Sequence, residues 1–173
     1  MTTINRVRAG ASKWTFKIKP IAELVCRYVG NGKGWIDPYA GECSPAEFTN
    51  DIHPDRKATY HLDALDFVTL MNEQHPQYNG VIFDPPYSYR QVSEHYSEVG
   101  RKATMNDTNN GFYSRVMNPL CDRVVPGGYV ISCGWNTNGF GENRGFEIVE
   151  ILVVAHGLHH NDTLVTVERK VQP

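Results

Sequence analysis

Apolar positions along the chain fall into short blocks whose spacing alternates between helical and extended. In IKPIAELVCRYV (18–29), Ile21, Leu24, Val25, Tyr28 and Val29 recur at helical intervals, which predicts a helix with Pro20 in its first turn. GNGKG ends that helix, and GWID (34–37) predicts a short buried strand. AEFTND (46–51) predicts a second strand a few residues later. DALDFVTLMNE (63–73) places Ala64, Phe67, Val68 and Met71 on one helical face, with Asp63 suited to cap it. GVIFD (80–84) is an unbroken apolar run, the pattern of a strand covered on both faces.

The next block is different. From Arg90 to Gly111 the chain is polar, predicting a long functional loop or lid with a short helix over Gln91 to Glu98, and TMNDTNNG (104–111) is Asn-rich. FYSRVMNPLCDRVV (112–125) has helical spacing, with Pro119 predicting a kink or restart. PGG (126–128) predicts a turn, YVISCGW (129–135) a strand, and NTNGFGENRG (136–145) a glycine-rich loop. FEIVEILVVA (146–155) and DTLVTVERK (162–170), joined by HGLHHN, predict a terminal antiparallel pair. The sum is a single α/β domain over 1–173, Rossmann-like, with a mostly parallel sheet and a C-terminal antiparallel hairpin. Such sheets bind ligands beyond the carboxyl ends of their strands. DPYAGE, DPPYSYR and GWNTNG follow three such ends.

Composition adds little to this. The chain has 173 residues, is 40% hydrophobic and 21% charged, and carries a formal net charge of −2, which does not mark a nucleic-acid binder by bulk electrostatics. Residues 1–19 hold Arg6, Arg8, Lys13, Lys17 and Lys19 and no acid. A basic arm over 1–13 follows, either solvated and partly disordered or in contact with phosphates. Cys26, Cys43, Cys121 and Cys133 form no CxxC pair, which argues against structural zinc and fits a reducing cytoplasm. No apolar run suits a signal peptide or a membrane span, so no membrane partner is expected.

DPPY (84–87) carries the sharpest chemistry. An exocyclic amine on adenine is a poor nucleophile because its lone pair is delocalised into the ring. Two acceptors on its two N–H bonds favour pyramidal geometry and localise that lone pair. Asp84 can supply one carboxylate oxygen and the Pro85 carbonyl the second, with Pro86 helping to fix the backbone. Tyr87 offers an aromatic face for a base, worth about 1–3 kcal/mol. Orientation of this kind can supply roughly 7–11 kcal/mol of a barrier. A duplex substrate would have to be flipped out first. A plain alternative is a rigid loop closing a buried strand.

These residues resemble a known family. DPPY after a strand is similar to motif IV of amino-methyltransferases that act on exocyclic nitrogens, chiefly adenine N6 in DNA. WIDPYAGE (35–42) resembles their motif I, and WTFKIKPIAELVCRYV (14–29) the segment leading into it. TNDIHP (49–54) and YHLDALDF (60–67) resemble motifs II and III, and RVVPGGYVISCGW (123–135) the turn and strand after DPPY. The likeness is collinear over nearly the whole chain. It is nearest to small phage and prophage adenine-specific methylases with DPPYSxRQVSE.

The resemblance implies S-adenosylmethionine as cofactor and DNA as partner, with RNA or another amine as an alternative acceptor. Tyr39, Ala40 and Gly41 would approach the methionine part and Asp37 its amino group. Asp51 would accept the ribose hydroxyls and Ile52 cover the adenine, while Asp63 would accept from the adenine amine beside Ala64. Phe16, Lys19 and Pro20 would border the cofactor. Asp63 could equally be only a helix cap, and Asp51 only a strand end. Tyr89, Arg90, Trp135 and Asn136 are the candidates for substrate contact, Trp135 alternatively as a packing residue.

Motif I departs from the family pattern. GECSPAEF leaves about ten residues between two strands, too few for a helical crossover, with Ser44-Pro45 able to start one turn. Glu42 and Cys43 stand where glycine would let backbone approach the cofactor. A catalytically silent cofactor- or nucleic-acid-binding protein is therefore a third reading. HGLHHN (156–161) suits a polar hairpin better than a metal site, so no metal is expected. No separate target-recognition domain is expected within these 173 residues. Sequence choice would fall to residues 88–112, the basic arm, a homodimer partner or another protein.

Overall fold

A computed structural model describes residues 1–104, 107, 111–157 and 159–171. Seven strands form one sheet: β1 (Thr3–Arg8), β2 (Trp35–Asp37), β3 (Phe48–Thr49), β4 (Tyr78–Phe83), β5 (Val124–Gly134), β6 (Phe146–Ala155) and β7 (Thr163–Lys170). Their spatial order is β1-β6-β7-β5-β4-β2-β3. β3, β2, β4 and β5 run parallel, β7 is antiparallel to both β5 and β6, and β1 pairs parallel with β6. Helices among the described residues include α1 (Lys19–Val29), α2 (Ala64–Gln74), α3 (Tyr89–Glu98) and α4 (Gly111–Cys121), with short 3-10 turns at Thr15–Lys17 and Glu142–Arg144. The expected mostly parallel α/β sheet with its terminal antiparallel pair is present.

β4 is covered on both sides, as its apolar run predicts. Ile82 faces α1, in a core with Ile21, Leu24, Val25, Ile131, Leu152, Val165 and Val167. Val81 and Phe83 face α2 and α4, in a second core with Phe67, Val68, Met71, Val116, Leu120 and Val130. Asp63 caps α2 by accepting from the Leu65 N–H at 3.1 Å.

Four expectations change. Residues 3–8 are an edge strand, not a disordered arm: β6 supplies the backbone partners, Val7 packs into the α1 core and Asn5 Nδ2 donates to Glu150 Oε1 at 3.3 Å. The strand expected over 46–51 shrinks to Phe48–Thr49, because Asn50 turns its amide to stitch loops. It donates to the Pro38 and Leu62 carbonyls and accepts from the Leu62 N–H. The PGG segment lies within β5 as a bulge. Tyr78 pairs with Val124 but Gly80 with Tyr129, and Gly127 has φ +80°. α4 runs unbroken through Pro119, with no restart.

The β2–β3 link has no helix, as its length demands. It instead folds onto the turn before β2, where a Cβ on Gly32 would lie 2.1 Å from the Pro45 carbonyl oxygen. The Ser44 hydroxyl donates to Asp37 Oδ2 at 2.6 Å. No helix among the described residues is long and apolar enough to cross a membrane.

Candidate active site

A cavity of about 650 Å³ opens where the carboxyl ends of β2, β4 and β5 meet. It is walled by residues 11–16, 38–43, 50–52, 62–64, 84–87 and parts of α3, with Trp135 and the β6–β7 loop at its rim. The three loops singled out in the sequence each contribute to it. Phe16, Tyr39, Ala40, Gly41, Asp51, Ile52, Asp63, Ala64, Asp84, Pro85, Pro86, Tyr87 and Trp135 all line it.

Six expected residues do not. Asp37 lies fully buried beneath the cavity, where it accepts from the Tyr39 N–H and the Ser44 hydroxyl, so it shapes the loop from below. Lys19 is in solvent near Glu23, and Pro20 stands in the first turn of α1. Arg90 is 87% exposed and pairs with Glu94 at 2.7 Å, and Tyr89 is also exposed. Asn136 accepts from its own loop, at the Asn138 N–H.

At the end of the cavity beside residues 38–43, Gly41 has φ +56°, and a Cβ there would meet the Trp14 ring at 3.2 Å. Its N–H donates to Asp51 Oδ2 at 3.1 Å, while Asp51 Oδ1 accepts from the His53 N–H at 2.8 Å. Both bonds fix the direction of a carboxylate that still faces the cavity. Asp63 Oδ2 accepts from the Tyr96 hydroxyl of α3 at 2.5 Å. The Tyr39 hydroxyl is buried and has no hydrogen-bond partner among the described residues. An apolar wall (Ile52, Ala64), two directed carboxylates and a side-chain-free backbone at Gly41 fit a nucleoside bearing a polar tail. The site accommodates S-adenosylmethionine on these grounds.

At the DPPY end, the Tyr87 hydroxyl donates to Asp84 Oδ1, and the Tyr87 ring meets Trp135 edge-on at 5.7 Å between centroids. Burial raises the Asp84 carboxyl above the usual range, opposed by hydrogen bonds from Tyr87 and Thr15. Burial and the neighbouring Asp84 charge push the Tyr87 phenol far up, so it stays a donor. Burial likewise carries Asp37 up to about 7, against the pull of Ser44 and the Tyr39 N–H.

Sequence reasoning missed Trp14, Thr15, Gln91, Tyr96 and Tyr113, all at this cavity. It also missed Glu168, buried within β7, which accepts from the Phe140 and Gly141 N–H groups and so anchors the glycine-rich loop. A lone glutamate in an apolar strand was its only signal. His156 is held by the Ala9 carbonyl and the Thr163 hydroxyl, as suits a polar hairpin.

No family model matches the chain, and no curated protein does. Solved structures match clearly. TrmN from Thermus thermophilus is 14% identical with a TM-score of 0.55, over 89% of this chain and 49% of that one. A Streptococcus mutans protein described as a SAM-dependent methyltransferase is 10% identical with a TM-score of 0.52, over 86% and 48%. The N-methyltransferase NodS from Bradyrhizobium japonicum is 10% identical with a TM-score of 0.55, over 89% and 96%. The chain has the fold of the S-adenosylmethionine-dependent methyltransferases. It spans about half the length of the first two of these proteins.

Proposed function

We propose that this chain is an S-adenosylmethionine-dependent methyltransferase acting on the exocyclic amine of a planar ring, with adenine N6 in DNA as the favoured acceptor. One observation carries the reading. A single cavity runs from the Gly41, Asp51 and Asp63 cluster to the Asp84-Pro85 acceptor pair. Its volume, about 650 Å³, lies within the ~300–1,000 Å³ typical of small-molecule sites.

In this reading Asp51 and Asp63 hold the ribose and adenine of the cofactor, Ile52 and Ala64 cover the ring, and the backbone at Gly41 lies along the methionine part. The bound cofactor supplies an already activated methyl group. The protein therefore contributes orientation and electrostatics. The Asp84 carboxylate and the Pro85 carbonyl accept the two N–H bonds of the amine and localise its lone pair. Tyr87 and Trp135 bracket the base and exclude water from it.

A second reading has specific support. Tyr87 holds Asp84 and Tyr96 holds Asp63, so both acceptors are engaged by the protein's own hydroxyls. That arrangement favours a homologue that binds cofactor or nucleic acid without turnover. Incubation with methyl-labelled S-adenosylmethionine and single-stranded DNA, duplex DNA or RNA, alongside Asp84→Ala, separates the two. Label entering DNA with the parent protein alone is the expected result. Label entering only RNA moves the substrate to the alternative acceptor. Cofactor heat in calorimetry with no transfer to any acid supports the silent homologue.

A further inference from the structure

Pro85 and Pro86 lack N–H groups, so the DPPY loop cannot be held by donation from its own prolines. The ring fixes φ at each, but ψ at Pro86 stays free unless something outside the loop sets it. The peptide unit joining Pro86 to Tyr87 is tied at both of its polar atoms. The Pro86 carbonyl accepts from the Tyr113 hydroxyl of α4 at 2.5 Å. The Tyr87 N–H donates to Gln91 Oε1 of α3 at 2.6 Å. In a planar trans peptide these atoms point in opposite directions, so the two side chains grip one plane from two sides.

Both anchors are themselves seated. The Tyr113 ring lies edge-on to Phe83 at 6.3 Å and to Phe112 at 5.8 Å. Packing alone would be satisfied by phenylalanine, so the hydroxyl has a separate use. Gln91 stands in the first turn of α3, whose Ser88 cap accepts from the Gln91 N–H at 3.3 Å. Pro85, by contrast, lines the cavity, and no donor among the described residues reaches its carbonyl. Fixing the plane after Pro86 leaves that carbonyl as the free acceptor of the motif, next to Asp84.

We infer that Tyr113 and Gln91 are positioning residues: a two-sided clamp on the Pro86–Tyr87 peptide that keeps the Pro85 carbonyl and the Asp84 carboxylate aimed as a pair. The inference rests on the methyl-transfer reading above. It adds that the aim is imposed by two helices on either side of residues 99–110.

The test uses Tyr113→Phe, Gln91→Met and Gln91→Glu, the last retaining an accepting Oε. Steady-state transfer gives kcat and the cofactor KM, and NMR amide exchange at Tyr87 reads the clamp without any reaction. Tyr113→Phe and Gln91→Met should lower kcat about 10–100-fold with the cofactor KM within about twofold of the parent, since small misplacements are costly to orientation. Gln91→Glu should restore most of the rate, and the Tyr87 amide should exchange at least about tenfold faster in the first two variants. Parent-like kcat in both, or unchanged Tyr87 exchange, overturns the clamp. If the parent transfers no methyl at all, the proposed function falls and the exchange result alone decides the clamp. Should one variant fail to fold, the other carries the same readouts from the opposite side of the plane.

Discussion

The hydroxyl of Tyr87 donates to the carboxylate of Asp84, three residues earlier in the same loop. The tyrosine therefore engages one oxygen of the acid, while its ring stands edge-on to Trp135 at the same cavity. The same bond tunes the acid. Burial raises the Asp84 carboxyl, and the Tyr87 and Thr15 hydrogen bonds hold it down.

The working form of Asp84 is the carboxylate, so activity is lost as pH falls through its raised pKa. Tyr87→Phe removes a bond that favours the charged form, which moves this acidic limb to higher pH. A pH–rate profile of kcat/KM checks the direction; a limb that stays put or moves to lower pH contradicts it. The ring matters separately. Tyr87→Phe keeps it, whereas Tyr87→Ala should reduce acceptor affinity by about 1–3 kcal/mol, read as KM for the nucleic acid.

Asp37 makes a prediction for stability. Its carboxyl is buried and carried up to about 7, so the folded state favours its protonated form. The stability it lends is full below its ordinary value of 3.8 and is lost as pH rises through about 7. Asp37→Asn removes this dependence. Thermal unfolding should show the variant gaining on the parent between pH 5 and pH 8, by at most ~3 kcal/mol, since about two pH units of that range lie below the folded value of about 7 and each is worth about 1.4 kcal/mol. A variant that loses ground on the parent as pH rises would refute the assignment.

Much of this arrangement is legible in the sequence where the forces are local. The stripe Ile21, Leu24, Val25 and Val29 faces the core, the GVIFD run is buried on both sides, and Asp63 caps α2. DPPY follows the strand that predicts its place. What is not legible is set by partners far along the chain. Residues 3–8 lack a strand pattern and become one because β6 pairs with them. Tyr113 reaches the Pro86 carbonyl across 27 positions and Tyr96 reaches Asp63 across 33, distances over which no periodicity carries information. Asp37, expected at the cofactor, is drawn under the loop because Ser44 folds back onto it.

Gly41 has a positive φ and lies under the Trp14 ring. Alanine there incurs about 1–2 kcal/mol of backbone strain and pushes on that ring. Calorimetry should show Gly41→Ala binding S-adenosylmethionine at least about tenfold more weakly, with the fold retained. Parent-like affinity would mean the backbone at Gly41 does not approach the cofactor.

Glu150, on β6 next to the edge strand β1, is a structural control. It accepts from Arg27 at 2.9 and 3.0 Å, from Tyr28 at 2.8 Å and from Asn5 at 3.3 Å. The Arg27 hydrogen bonds lead in lowering its carboxyl, so its contribution is present at neutral pH and lost as pH falls through that lowered value. Glu150→Ala should cost about 2–3 kcal/mol in denaturant unfolding at pH 7 and leave transfer kinetics unchanged, because Arg27 can return to solvent.

The central claim is that Asp84 and Pro85 present a ring amine to the methyl donor. Its most direct measurement is mass spectrometry of nucleosides from DNA incubated with the protein and trideuteromethyl S-adenosylmethionine, compared with Asp84→Ala. Deuterated N6-methyladenine with the parent protein, lost with Asp84→Ala, is the predicted result. The label on another atom, or the same N6 product from Asp84→Ala, would contradict the account.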